Sequence, residues 1–253
     1  MSFSIGNKAR LPRYWLELVI FLAGTILVLS GLLFGEKLPA VAIGIGCSLV
    51  AGAVVSFLVS LFYVRAMKAV EIFNFWGLKD IFRTRQVMNQ RTYITFEPMR
   101  EHLDVIAWGL NSFRSSEQAE KVEEKIIKGL QARILAPDPD SPLTAQQDLD
   151  EGKPEGYTAG TIHKLKAWVD DLNNRIKPKD PKGSIELRFY NFRPQDFYWR
   201  QDSHIYVGPY LYGMDSQQTI SFEYESPSRG FDLYKKHFEK VWEAAGEISG
   251  QKA

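Results

Sequence analysis

The sequence predicts an α/β protein in two parts: an N-terminal transmembrane α-hairpin, then a cytoplasmic mixed-sheet domain with helices on its faces. Three observations carry this prediction. Two apolar runs, Trp15 to Phe34 and Ala40 to Val64, stand close together near the start of the chain. From Leu103 onward, short β-branched and aromatic runs alternate with segments whose apolar residues recur at helical spacing. Further on, Asp196 to Arg200 and His204 to Gly208 flank Gln201, Asp202 and Ser203, the pattern of a tight β-hairpin.

Each apolar run supplies the roughly 20 residues with which a helix crosses about 30 Å of hydrocarbon. A helix is the expected form because the bilayer offers no water to unpaired backbone groups. Gly35 to Pro39 make the turn, with Pro39 near the start of the second helix, where a missing N–H costs little. Glu17 lies one turn from the end of the first run, within reach of headgroups or a partner. Lys8, Arg10 and Arg13 precede the hairpin, Arg65 and Lys68 follow it, and the loop holds one Lys and one Glu. This asymmetry predicts a multi-pass protein of the plasma (inner) membrane with both termini and the soluble domain cytoplasmic. Tyr14, Trp15, Phe62 and Tyr63 would form an aromatic belt on that side. A cleaved signal peptide fits poorly, because the first run is long and a second follows at once.

Small residues pattern the hairpin. Gly44, Ser48, Gly52, Ser56 and Ser60 recur every four residues along the second run, and the first offers Gly24, Gly31 and Gly35. Small side chains let helix backbones approach closely, either within the hairpin or between hairpins. Hairpin packing is the expectation for Gly24 and Gly31; for the serine-rich stripe both readings stand. Cys47, the single cysteine, reads as a small packing residue, and no intrachain disulfide can form.

The chain of 253 residues leaves enough length outside the hairpin for one soluble domain, and its aromatic content of 13% can build a sizeable core. A formal net charge of +1 points to no nucleic-acid partner. The resulting division is a tail at 1–13, the hairpin at 14–64, a juxtamembrane helical linker at 65–95, the mixed-sheet domain at 96–246 and a tail at 247–253.

In chain order, Ala66 to about Gln90 reads as continuing helix, with Val70, Phe73, Gly77 and Ile81 on one face and Lys68, Lys79, Arg83 and Arg85 on the other. It would lie on the membrane surface or serve as a stalk. Pro98 opens a short helix ending near His102, and Leu103 to Gly109 is a buried strand. Ser115 to Gln118 has capping-box spacing, ahead of a helix with Ala119, Val122, Ile126 and Leu130 on one face. Gln131 to Pro137 is the next strand. Asp138 to Gly156, rich in Pro, Asp and Gly, reads as a loop. Tyr157 to Ile176 is helical, with Ile162, Leu165, Val169 and Leu172 in phase, and a basic linker follows. Ile185 to Tyr190, the hairpin, and Thr219 to Tyr224 are strands; Phe231 to Ala245 is the closing helix.

This order, with these segments, resembles one half of the phospholipase D-like fold. Leu103 to Gly109 with the following helix and Gly129 to Pro139 looks like the family's first strand–helix–strand. Asp202 to Gly213 looks like the strand carrying the later part of the catalytic motif, and Phe231 to Trp242 like the closing helix. The family's motif is His-x-Lys-x-x-x-x-Asp with Gly-Ser six residues on. Here Asp202 fits the aspartate and Gly208 the glycine, but Gln195 stands at the histidine, Phe197 at the lysine and Pro209 at the serine. An amide cannot attack phosphorus, and a phenyl ring cannot neutralise phosphate oxygens. The resemblance therefore implies the fold without the family's hydrolysis, and pairing of two halves as a homo-oligomer.

Other chemistries lack their signatures. His102, His163, His204 and His237 are scattered without zinc-ligand spacing, so no metal is expected. No phosphate-loop, dinucleotide or nucleophile-elbow motif occurs, and no cofactor is expected. Ligands of α/β sheets favour the carboxyl ends of strands. Trp108, Asn111 and Ser112 follow the first strand and Asp138 the second; Arg193, Arg200, Asp202, His204, Tyr210 and Tyr212 come from the hairpin region. Aromatic faces with arginines suit a small anionic ligand such as a nucleotide; a hydrogen-bonded polar rim is the competing reading. The expected function is a membrane-anchored, non-catalytic sensor or effector, an arrangement that resembles effectors of bacterial antiviral defence. A membrane-tethered phosphodiesterase with a non-standard site and a membrane scaffold are the alternatives.

Overall fold

The computed structural model describes residues 15–33, 40–192 and 196–251, with the backbone alone at 64–66 and 247–251. The basic residues Lys8, Arg10 and Arg13, the Gly35–Pro39 turn, Arg193 and Gln195 lie outside the described residues. The chain divides into two compact units between Ile72 and Phe73.

In the first unit, α1 (Trp15–Leu33) and the longer α2 (Ala40–Trp76) are both long and apolar enough to cross a membrane. Their glycines sort into two sets. A methyl group at Gly24 would lie 2.9 Å from Gly46 O and 3.0 Å from Leu49, and one at Gly31 would strike Ile43 at 2.6 Å. These positions, with Gly46, are where the two helices meet, and only glycine permits that approach. Gly44 and Gly52 have nothing within 4 Å of an added methyl, and Ser48 and Ser56 are exposed beside them. The stripe thus faces away from α1. Leu22, Leu29, Val55 and Leu58 are among the large side chains the helices expose, an exterior suited to lipid.

Gly77 ends α2 at φ +65, where an added side chain would collide with Ser228 at 2.1 Å. The expected helix to about Gln90 does not continue. Leu78–Phe82 forms β1, paired antiparallel with β7 (Ser221–Glu225), and α3 spans Arg85–Phe96 with Thr84 as N-cap, its hydroxyl accepting from Val87 N. The phase of Val70, Phe73 and Ile81 looked helical because a short strand has too few residues to declare its own period.

The remaining elements are β2 (His102–Ile106), α4 (Asn111–Arg114), α5 (Glu117–Lys128), β3 (Gln131–Pro137), α6 (Pro142–Glu151), α7 (Tyr157–Ile176), β4 (Ser184–Tyr190), β5 (Asp196–Gln201), β6 (His204–Pro209) and α8 (Arg229–Gln251). No helix opens at Pro98; the chain turns there into β2. The stretch expected as a loop from Asp138 contains α6. Ser141 caps it through Leu143 N, Pro142 takes its first turn, and Gly152 ends it at φ +64. Its Pro and Gly are the helix's own start and stop signals.

The sheet has seven strands in the order β1-β7-β6-β5-β2-β3-β4. β2, β3 and β4 run parallel, and the other pairings are antiparallel. One face carries the larger core, in which Val122, Ile126, Ile162 and Leu165 from α5 and α7, with Met88 and Phe96 from α3, cover Val105, Ile134 and Trp199. On the other, Phe231, Phe238, Val241 and Trp242 of α8 cover Ile106, Leu135, Tyr198 and Ile205. The fold class is therefore the expected one: a mixed sheet with helices on both faces. Period-two alternation sends Phe197 and Trp199 to the first face and Tyr198 and Arg200 to the second.

Candidate functional site

A cleft of about 630 Å³ opens past the carboxyl end of β2, on the face of the sheet that carries α3, α5 and α7. That size is ordinary for a small-molecule site. The segment Ala107–Phe113, the start of α3, the end of α6, the start of α7, Phe197, Trp199, Tyr210 and residues 215–218 line it. Gly109 brings the chain against α7, since a methyl there would strike Thr161 Oγ1 at 2.3 Å. Leu110, at φ 53, then turns it into α4.

Aromatic rings build the walls. Phe197 and Trp199 stack with centroids 6.5 Å apart, and Trp108 meets Tyr210 edge to face at 5.9 Å. The Trp108 Nε1 donor is buried without a hydrogen-bond partner among the described residues.

Arg85, the first residue of α3, is the main cation of the cleft. Its backbone N–H donates to Thr219 O at 2.8 Å, and its side chain is only 4% exposed. The guanidinium lies 4.2 Å from the Phe197 ring centre and 5.0 Å from that of Tyr210. Nε and Nη2 have no partner among the described residues. Burial pushes the guanidinium below its usual range, opposed by Tyr210, yet an arginine stays charged. Burial likewise pushes the Tyr210 phenol up to about 12, with Arg85 opposing.

The other charges of the cleft are engaged. Lys153 Nζ lies 2.8 Å from Asp215 Oδ2, which holds that carboxyl below its ordinary value. Glu151 accepts from Gln147 Nε2 at 2.6 Å; burial raises its pKa, and it acts on Arg85 only through space. Three of its hydroxyls are engaged as well. Ser116 and Thr161 donate to backbone carbonyls, and Thr158 donates to Asp148 Oδ1. Among the described residues, no histidine lines the cleft.

Of the residues expected from sequence, Trp108, Asn111, Ser112 and Tyr210 meet in this cleft. Asp138 is buried beyond β3, and Tyr212 is 83% exposed on the loop after β6; neither lines it. Arg200 points to the opposite face, where Nη1 lies 2.9 Å from the fully buried Asp104 and Nε donates to Asp202 O. Arg133 joins Asp104 at 2.7 Å and forks onto Glu239 of α8. Asp202, at φ 46 in the β5–β6 turn, accepts from the backbone N–H groups of Arg100, Glu101 and His102 at 2.8, 2.9 and 2.7 Å. His204 Nδ1 lies 2.9 Å from Glu223, beside Arg91 and Tyr206. These residues sit on another face or at the other end of β2. Arg85 was read as one charge on a helical basic face; the strand-like Leu78–Phe82 and the Thr84 cap were the signals that set it apart.

No protein-family profile and no curated protein matches the sequence. Among solved structures, TrmBL2, described as an archaeal chromatin protein with a novel mode of DNA binding, aligns at 12% identity and a TM-score of 0.44 over 82% of this chain and 71% of its own. NucT from Helicobacter pylori aligns at 12% identity and 0.36, covering 66% and 97%. Nuc from Salmonella typhimurium, a phospholipase D family member, aligns at 10% and 0.34, covering 61% and 87%. Likeness at this level is one of chain path and says nothing of what this chain binds.

Proposed function

We propose that this chain is a membrane-anchored, non-hydrolytic ligand-recognition protein whose phospholipase D-like domain has exchanged its motif chemistry for a binding cleft. The observation that carries this reading is the cleft itself, lined by rings and by Arg85 and Trp108, whose buried donors have no partner among the described residues. The motif positions agree. Phe197, at the family's lysine, is a ring that carries the Arg85 guanidinium, and Asp202 is committed to three backbone donors. α1 and α2 supply the anchor, with the domain on the cytoplasmic side as the basic flanks suggest. Arg85 belongs to the first helix after α2, separated from it in sequence by β1 alone.

Purified full-length protein in detergent should not cleave phospholipid or nucleic-acid phosphodiesters. Hydrolysis that survives rigorous purification and is lost on Arg85→Gln would make the cleft an enzyme site and overturn this reading.

A further inference from the structure

The Arg85 side chain carries information about the ligand's chemistry. Its guanidinium carbon lies 4.2 Å from the Phe197 ring centre and 5.0 Å from that of Tyr210, and its N–H groups bond in the guanidinium plane. The unpartnered atoms, Nε and Nη2, share a single edge of the fork. That edge suits two oxygens of one phosphate or carboxylate, held side by side. A charged group that is 4% exposed, with two open donors in a cleft, has its solvent removed and its partner missing. Trp108 adds a third open donor, and both residues pack on the same Tyr210 ring.

The rim limits the charge that can enter. Asp215 is already neutralised by Lys153, and Glu151 stands nearby without a cation of its own in hydrogen-bond contact. One open cation flanked by carboxylates favours a single negative charge over two. Trp108, Phe197 and Trp199 are among the residues that line the rest of the space.

We infer that the open edge of Arg85 is an oxyanion subsite, and that the cleft takes a flat-ringed ligand bearing one negative charge, a nucleotide phosphodiester being the class that joins both features. This rests on the recognition reading above and names the ligand class of that same cleft. The test uses full-length protein in lipid nanodiscs, titrated calorimetrically with cyclic adenosine and guanosine monophosphates, the matching nucleosides, inorganic phosphate and vesicles of anionic lipid. A cyclic monophosphate should bind, its nucleoside and inorganic phosphate at least tenfold more weakly. Arg85→Gln should weaken it by about tenfold to a hundredfold, and Arg85→Lys, which keeps the charge but not the fork, by an intermediate factor. In unmodified protein, the Arg85 Nε–H resonance should shift on ligand addition, a readout independent of how the variants fold. Binding with that resonance unmoved, or unchanged in Arg85→Gln, overturns the subsite while leaving ligand recognition standing. Preference for the vesicle assigns the oxyanion to a lipid headgroup and overturns the nucleotide class. Cleavage of the ligand overturns the recognition reading itself.

Discussion

At the residue scale, the charged groups include several that hold the fold and Arg85, whose Nε and Nη2 are buried without a partner among the described residues. Asp202 holds the fold: its carboxylate gathers three backbone N–H groups at the start of β2. Charge-assisted hydrogen bonds of this kind are worth about 1.5–3 kcal/mol. Asp202→Ala should therefore lower the unfolding midpoint in denaturant by an amount corresponding to about 2–3 kcal/mol, while ligand affinity in the cleft stays unchanged. A second group sets a pH dependence. Burial raises the Glu223 pKa, but the bond from His204 and the charge of Arg91 more than offset this, holding it below its ordinary 4.5. A depressed carboxyl stabilises the fold fully above about pH 4.5 and loses that contribution as pH falls through the folded value. Thermal melts of wild type should drop on acidification below pH 4.5, and Glu223→Gln should flatten that limb; an unchanged slope would exclude Glu223 as its source. Arg200 looked like a ligand arginine because composition gives residue type without face. Its partners Asp104 and Asp202 are distant or local in ways that only the pairing of β2 with β5 reveals.

At the scale of elements, legibility followed period and length. α7 was readable because its apolar residues keep helical phase along its length, and the β5–β6 hairpin because two short aromatic and β-branched runs flank the turn at Asp202. α6 was not, because its capping residues Ser141, Pro142 and Gly152 are also loop formers, and its apolar content is low. β1 was hidden by its position next to a long helix. The hairpin was legible in its close contacts, through Gly24 and Gly31, while the direction of the stripe was not. That geometry separates two variants. Gly46→Leu should break the α1–α2 approach, where an added methyl already lies 2.7 Å from Val28 and 2.8 Å from Gly24 O. Gly52→Leu has open space and should leave the hairpin intact. If the outward stripe joins hairpins, oxidative cross-linking through the exposed Cys47 should fall in Gly52→Leu. Cross-linking equal to wild type would remove the stripe from self-association.

At the scale of the whole molecule, two apolar helices precede a sheet domain whose cleft begins with the first helix after them. Reporter fusions at Met1 and Ala253 should both report the cytoplasm; an external signal at either end would reverse the orientation. The site was half legible. Trp108, Asn111, Ser112 and Tyr210 follow strand ends in sequence and meet in space. Arg85 lies in the stretch whose spacing predicts a juxtamembrane helix, and no spacing links it to Phe197 or Tyr210. Binding without cleavage is read out by mass spectrometry of intact full-length protein after incubation with phosphodiester ligands. A bound ligand should be recovered at its original mass from wild type and lost from Arg85→Gln. Recovery of cleaved product from wild type, absent in that variant, would contradict it.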